Sequence, residues 1–161
     1  MTTDNHGRRI VVGYDGSPAS RAALAQAAER AGEDGHIYIV HAYSLPSDWL
    51  GAANYADLLG FAQARAQTQL DRIEDESGAD LAGVEWESEL IGDSPAPAIA
   101  RVAKVRQADE IIVGTRGFGR ARALFGSVAH ELIHLAECPI TVIPERVVER
   151  ERKRQKAGAA S

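Results

Sequence analysis

Residues 9–20, "RIVVGYDGSPAS", decide how this chain folds. Ile10, Val11 and Val12 follow one another with no polar residue alternating among them, and the run leads straight to Asp15 and Gly16. A strand that is apolar on both faces is covered on both faces, as in a parallel sheet held between helices. The next residues open a helix. Ser17 is placed to cap it, and Pro18 fits its first turn without losing a hydrogen bond. Ala22, Ala23, Ala27 and Ala31 are small enough to let it sit close to the sheet, and Gly32 or Gly35 ends it.

The same alternation runs down the chain. "HIYIVHAY" (His36–Tyr43) reads as a second strand, and a long helix is expected from about Tyr55 to Ser77, with Leu58, Leu59, Ala62, Ala66, Leu70 and Ile73 on its apolar side. "VEWESELI" (Val84–Ile91) alternates, as a half-exposed edge strand does. "GDSPAPAIARVAKVRQ" is a turn and a helix, capped by Asp93 or Ser94 with Pro95 at its start. "DEIIVG" (Asp109–Gly114) is a buried strand; a glycine-rich loop, a helix and the strand "PITVIP" (Pro139–Pro144) follow. Helical crossovers of this length join parallel strands with right-handed connections. The expected fold is therefore α/β: a doubly wound open sheet of five parallel strands with helices on both faces. It spans residues 9–144, between an N-terminal tail (1–8) and a charged C-terminal tail (145–161).

Composition narrows the function. The 161 residues suffice for one well-buried core. Net charge is −5, but the tail from Glu145 holds six Lys/Arg against three Asp/Glu, which leaves the body at −8. An acidic body lacks the basic face that nucleic acid requires. No run approaches the ~20 apolar residues of a membrane span. The opening "MTTDNHGRR" leads into only three apolar residues, so no secretory leader is expected. Cys138 is the single cysteine and cannot form an internal disulfide, which suits a reducing cytoplasm.

In doubly wound sheets, ligands sit beyond the carboxyl ends of the strands. After the first strand, "YDGSPAS" is neither G-x-G-x-x-G nor a P-loop. Asp15 there has two readings: it accepts from ribose hydroxyls or shares a divalent cation, or it only caps the helix. After the fourth strand comes "GTRGFGRARALFGSVAHEL". Gly114, Gly117, Gly119 and Gly126 would allow positive φ and close backbone approach to a ligand. Gly126 and Ser127 stand just before a helix whose free N–H groups attract anions. Arg116, Arg120 and Arg122 add positive charge. The pattern is that of a phosphate cradle.

"IVVGYDGSPAS", "GDSPAPAIARVAKVRQADEIIVGTRGFG" and "GSVAHELIHLAECPITVIP" together resemble the universal stress protein family, over about residues 8–144. In its nucleotide-binding members a loop reads G-x-x-G, nine residues, then G-[S/T]; Gly114, Gly117, Gly126 and Ser127 fall on those positions. The resemblance implies that an adenine nucleotide, ATP or AMP, lies at the end of strand two near the backbone of Ala42, just after His41. Its ribose and phosphates, with any magnesium, would lie near Asp15. Thr115, Arg116 and Val128 complete the implied site. The departure is in the loop, where eight residues ("FGRARALF") stand between Gly117 and Gly126. One residue fewer shortens its reach by up to ~3.5 Å. The resemblance also implies the strand order 3-2-1-4-5 and a role in stress response or signalling. Strand five is then an edge, and a second copy would cover it in a homodimer contacted through Thr141 and Ile143. The alternative is a nucleotide-free dimeric module of the same fold that binds a protein partner. No nucleophile or general base is evident, and slow ATP hydrolysis is the most catalysis these residues suggest.

One motif remains. "HELIH" (His130–His134) matches the H-E-x-x-H of zinc proteases. At ~100° per residue, Val128, Ala129, Leu132, Ile133, Leu135 and Ala136 gather toward the sheet, while His130 and His134 fall on the opposite side. Glu137 and Ile140 occupy the places where the extended motif needs a glycine and a third histidine. The expectation is a solvated helix face rather than a zinc protease.

Overall fold

Strand β1 (Arg9–Gly13) occupies the centre of a five-stranded sheet, paired in parallel with β2 (His36–Ala42) on one side and β4 (Glu110–Gly114) on the other. Strands β3 (Glu85–Ile91) and β5 (Ile140–Ile143) form the two edges, which gives the order β3-β2-β1-β4-β5 with every pairing parallel. The computed structural model describes residues 7–44, 50–51, 53–115, 126–144, 150, 153–154 and 156–160.

The unalternating apolar run of β1 has the consequence its sequence predicts. Ile10, Val11 and Val12 are all fully buried, because helices cover both faces. Successive side chains diverge to two cores. Ile10 and Val12, with Ile37, Ile39 and Ile112, pack under α1 (Pro18–Ala31), α2 (Tyr55–Asp71) and α3 (Ile73–Ser77). Val11, with Val40, Ile111 and Val113, packs under α4 (Pro95–Val105) and α5 (Ser127–Leu135). Helix α1 starts as expected, with Ser17 Oγ accepting from the Ser20 amide at 3.1 Å, and it ends at Gly32, whose φ of +68° suits glycine.

Two local expectations are corrected. The long helix is broken at Arg72, and Ile73 beyond the break is fully buried. Glu74, Asp75 and Glu76 favour a new amino end over the carboxyl end of an old helix. On α5 the buried stripe is narrower than the periodicity suggests. Ala129 and Leu132 are buried, whereas Ile133 and Leu135, at the margins of the stripe, are 57% and 43% exposed. Among the described residues, no helix is long and apolar enough to cross a membrane.

Candidate functional site

At the carboxyl ends of β1, β2 and β4, the chain leaves an open cleft of about 750 Å³, counting the solvent at its mouth. Asp15, Ala42, Gly114, Gly126, Ser127 and Val128 all line it, so six positions picked out from the sequence come together here. Thr115 does not line the cleft: its amide donates to the Ile143 carbonyl at 2.9 Å and its hydroxyl faces the same oxygen at 3.4 Å. Arg116 and Gly117, with Gly119, Arg120 and Arg122, lie outside the described residues.

Asp15 holds the turn into α1 and stands at the cleft. Its Oδ1 accepts from the Ser17 amide at 3.0 Å, which fixes the entry to α1, and the residue also lines the cleft. Gly16 between them has φ +77°, a conformation that side chains disfavour. Behind this turn lies His41, buried at 6% exposure with its Nδ1 unbonded. Burial pushes its imidazole below the ordinary histidine range, partly opposed by the Asp15 charge and by the Tyr14 backbone. Tyr14, which also lines the cleft, has its phenol pushed upward, first by burial and then by Glu76.

The glycines are bare for different reasons than expected. Gly126 has φ −64° and ψ 159°, an extended conformation open to any residue, so it does not supply positive φ. It is the N-cap of α5 and has no side chain with which to bond the first-turn amides of that helix. Gly114 is bare because α1 lies against it, a methyl group there falling 2.5 Å from the Ala19 carbonyl carbon.

Other residues of the cleft were not anticipated. Val40, Pro95, Ile99 and Val113 form an apolar wall, and Gly13 leaves room beside it, since a methyl group there would meet Ile99 Cδ1 at 2.7 Å. A signal existed in the alternation of β2, because Val40 and Ala42 are two residues apart and share a face. The contribution of α4 had no local signal. As for "HELIH", both histidines are exposed, with ring centroids 5.5 Å apart on the outer side of α5.

A parallel sheet in this order, with a cleft at its carboxyl edge and a helix amino end opening into it, is a doubly wound α/β architecture, in which ligands sit at that edge. Residues 7–144 match the Universal stress protein family, and the chain belongs to that family. A universal stress protein from Thermus aquaticus is 34% identical over 139 residues, covering 84% of this chain and 98% of that protein. Among solved structures, a universal stress protein in complex with cAMP aligns with TM-score 0.56 and 22% identity, covering 87% of this chain and 98% of that one. A family protein from Arabidopsis thaliana with AMP bound aligns with TM-score 0.61 and 19% identity, covering 85% and 91%.

Proposed function

We propose that this chain binds an adenine nucleotide, ATP or AMP, in the cleft, and acts as a cytoplasmic homodimer in stress response. The observation that carries the nucleotide is the opening of α5. Its N-cap is Gly126, which has no side chain to bond the first-turn amides, and Gly126, Ser127 and Val128 line the cleft. Amides that the cap residue leaves open at the positive end of a helix suit a phosphate. The apolar wall of Val40, Ile99 and Val113 gives the base a surface to lie on, with Ala42 at its edge. Asp15 stands where ribose hydroxyls would reach it; one carboxylate with the nucleotide's phosphates also suits magnesium. AMP and cAMP in two structures of the same fold support this class of ligand.

The dimer reading rests on the unequal edges of the sheet. Strand β3 carries Glu85, Glu87 and Glu89, and charges of this kind discourage edge pairing. Strand β5 carries no charge, and Ile133 and Leu135 are exposed on the neighbouring α5.

Thermal unfolding with AMP, ADP, ATP with magnesium, and cAMP tests the ligand. Ligand at a hundred times its dissociation constant adds ~2.7 kcal/mol. In a protein of this size that raises the melting point by roughly 5–11 °C. If none of the four moves the melting point at millimolar concentration, the nucleotide reading fails and the protein-interaction module replaces it.

A further inference from the structure

The outer face of α5 carries an arrangement that the cleft does not use. His130 and His134 stand one helical turn apart, both exposed, with ring centroids 5.5 Å apart and ring planes at 76° to each other. Side chains four apart on a helix are neighbours. An ion held at about 2.0–2.1 Å from one nitrogen of each imidazole lies roughly 3.2 Å from each ring centre. At a tetrahedral angle, those centres would be roughly 5.3 Å apart. The observed spacing therefore suits a shared ion once both rings turn a nitrogen toward it.

We propose that His130 and His134 form a two-imidazole chelate for a late first-row divalent ion. Imidazole suits Cu²⁺, Ni²⁺ and Zn²⁺ and is a poor ligand for Mg²⁺, so the series sets the expected order, with Cu²⁺ tightest. Among the described residues no group of three or more His, Cys, Asp and Glu converges to hold a metal. The chelate thus has two protein ligands, with water completing the coordination, and it lacks the third protein ligand of a catalytic zinc site. Glu131 is exposed three residues before His134, a neighbouring place on the helix from which its charge attracts the cation. Glu137, the next carboxylate along the chain, is already engaged by Lys104 at 2.6 Å. Nothing in this proposal depends on the nucleotide reading.

Isothermal titration of the full chain with CuCl₂, NiCl₂, ZnCl₂ and MgCl₂ tests it, against His134→Asn and His130→Asn. Both residues are exposed, so both variants should fold, as circular dichroism will verify. The expected result is one equivalent of Cu²⁺ bound, Ni²⁺ and Zn²⁺ more weakly, and Mg²⁺ not at this site. Each variant should weaken Cu²⁺ binding by more than about tenfold, since even an outer-shell partner is worth about 10–100-fold. Undiminished Cu²⁺ binding in His134→Asn would place the ion elsewhere and overturn the proposal. Failure of the wild-type chain to bind Cu²⁺ at millimolar concentration would overturn it as well.

Discussion

Gly114 and Ala19 are in backbone contact: a methyl group built on Gly114 would lie 2.5 Å from the Ala19 carbonyl carbon and 2.7 Å from its oxygen. Backbone cannot yield as a flexible side chain can. Gly114→Ala should therefore push α1 off the sheet and cost about 1–3 kcal/mol, the usual price of overpacking. Urea unfolding of the variant without nucleotide measures this. An unchanged stability would mean that α1 moves freely, and that this glycine is bare for a ligand instead.

Asp15 calls for two substitutions, because it both fixes the turn and lines the cleft. Asp15→Asn keeps an oxygen to accept from the Ser17 amide and removes the charge. Asp15→Ala removes both, and losing a helix-entry acceptor costs about 0.5–2 kcal/mol. The expected outcome is a smaller nucleotide-induced melting shift in both variants, with a clear loss of intrinsic stability only in Asp15→Ala. Equal nucleotide shifts in wild type and Asp15→Asn would restrict Asp15 to its capping role.

What the sequence made legible and what it hid follow from the range of the forces involved. The apolar run of β1, the Ser17 cap and the Gly32 stop are local, and each stands where the pattern placed it. The strand order is global, yet resemblance supplied it. Asp15, Ala42, Gly114, Gly126, Ser127 and Val128 were legible at the cleft because they lie at or just beyond strand ends or at a helix start. Ile99 was not, since it reaches the cleft only through the packing of α4 against the sheet. Periodicity also misjudged Ile133 and Leu135, because an angle around a helix does not say how wide a stripe the neighbouring elements cover.

His41 gives the protein a pH dependence with a definite sign. Burial lowers its folded-state pKa below the free value of about 6.5, so the unfolded chain takes up the proton first. Its contribution to stability is fully present above about pH 6.5 and is lost as pH falls below that value toward the folded-state pKa. Urea unfolding between pH 7.5 and pH 5 should show the decline. His41→Gln, which cannot titrate, should flatten it even if the variant is less stable throughout. A decline of equal steepness in His41→Gln would assign it to another group.

The edge strand β5 sets the terms of the last prediction, and the structure changes which residues can test it. Thr141 and Ile143 point inward. Thr141 Oγ1 bonds the Glu110 carboxylate and accepts from Arg30 at 3.2 Å, and Ile143 is 7% exposed in the core under α1. A charge at either place would damage the fold before it reported on an interface. Ile140 and Val142 lie on the other face of the strand, only partly covered by the α4–α5 side. Val142→Lys places a charge on the uncharged edge, which is how sheet edges are kept from pairing. Sedimentation should find the wild-type chain dimeric at micromolar concentration and Val142→Lys shifted toward monomer. Circular dichroism on the same samples confirms that the variant is folded. A wild-type monomer would remove the dimer from the proposed function, whereas a folded Val142→Lys dimer of unchanged affinity would move the interface away from β5.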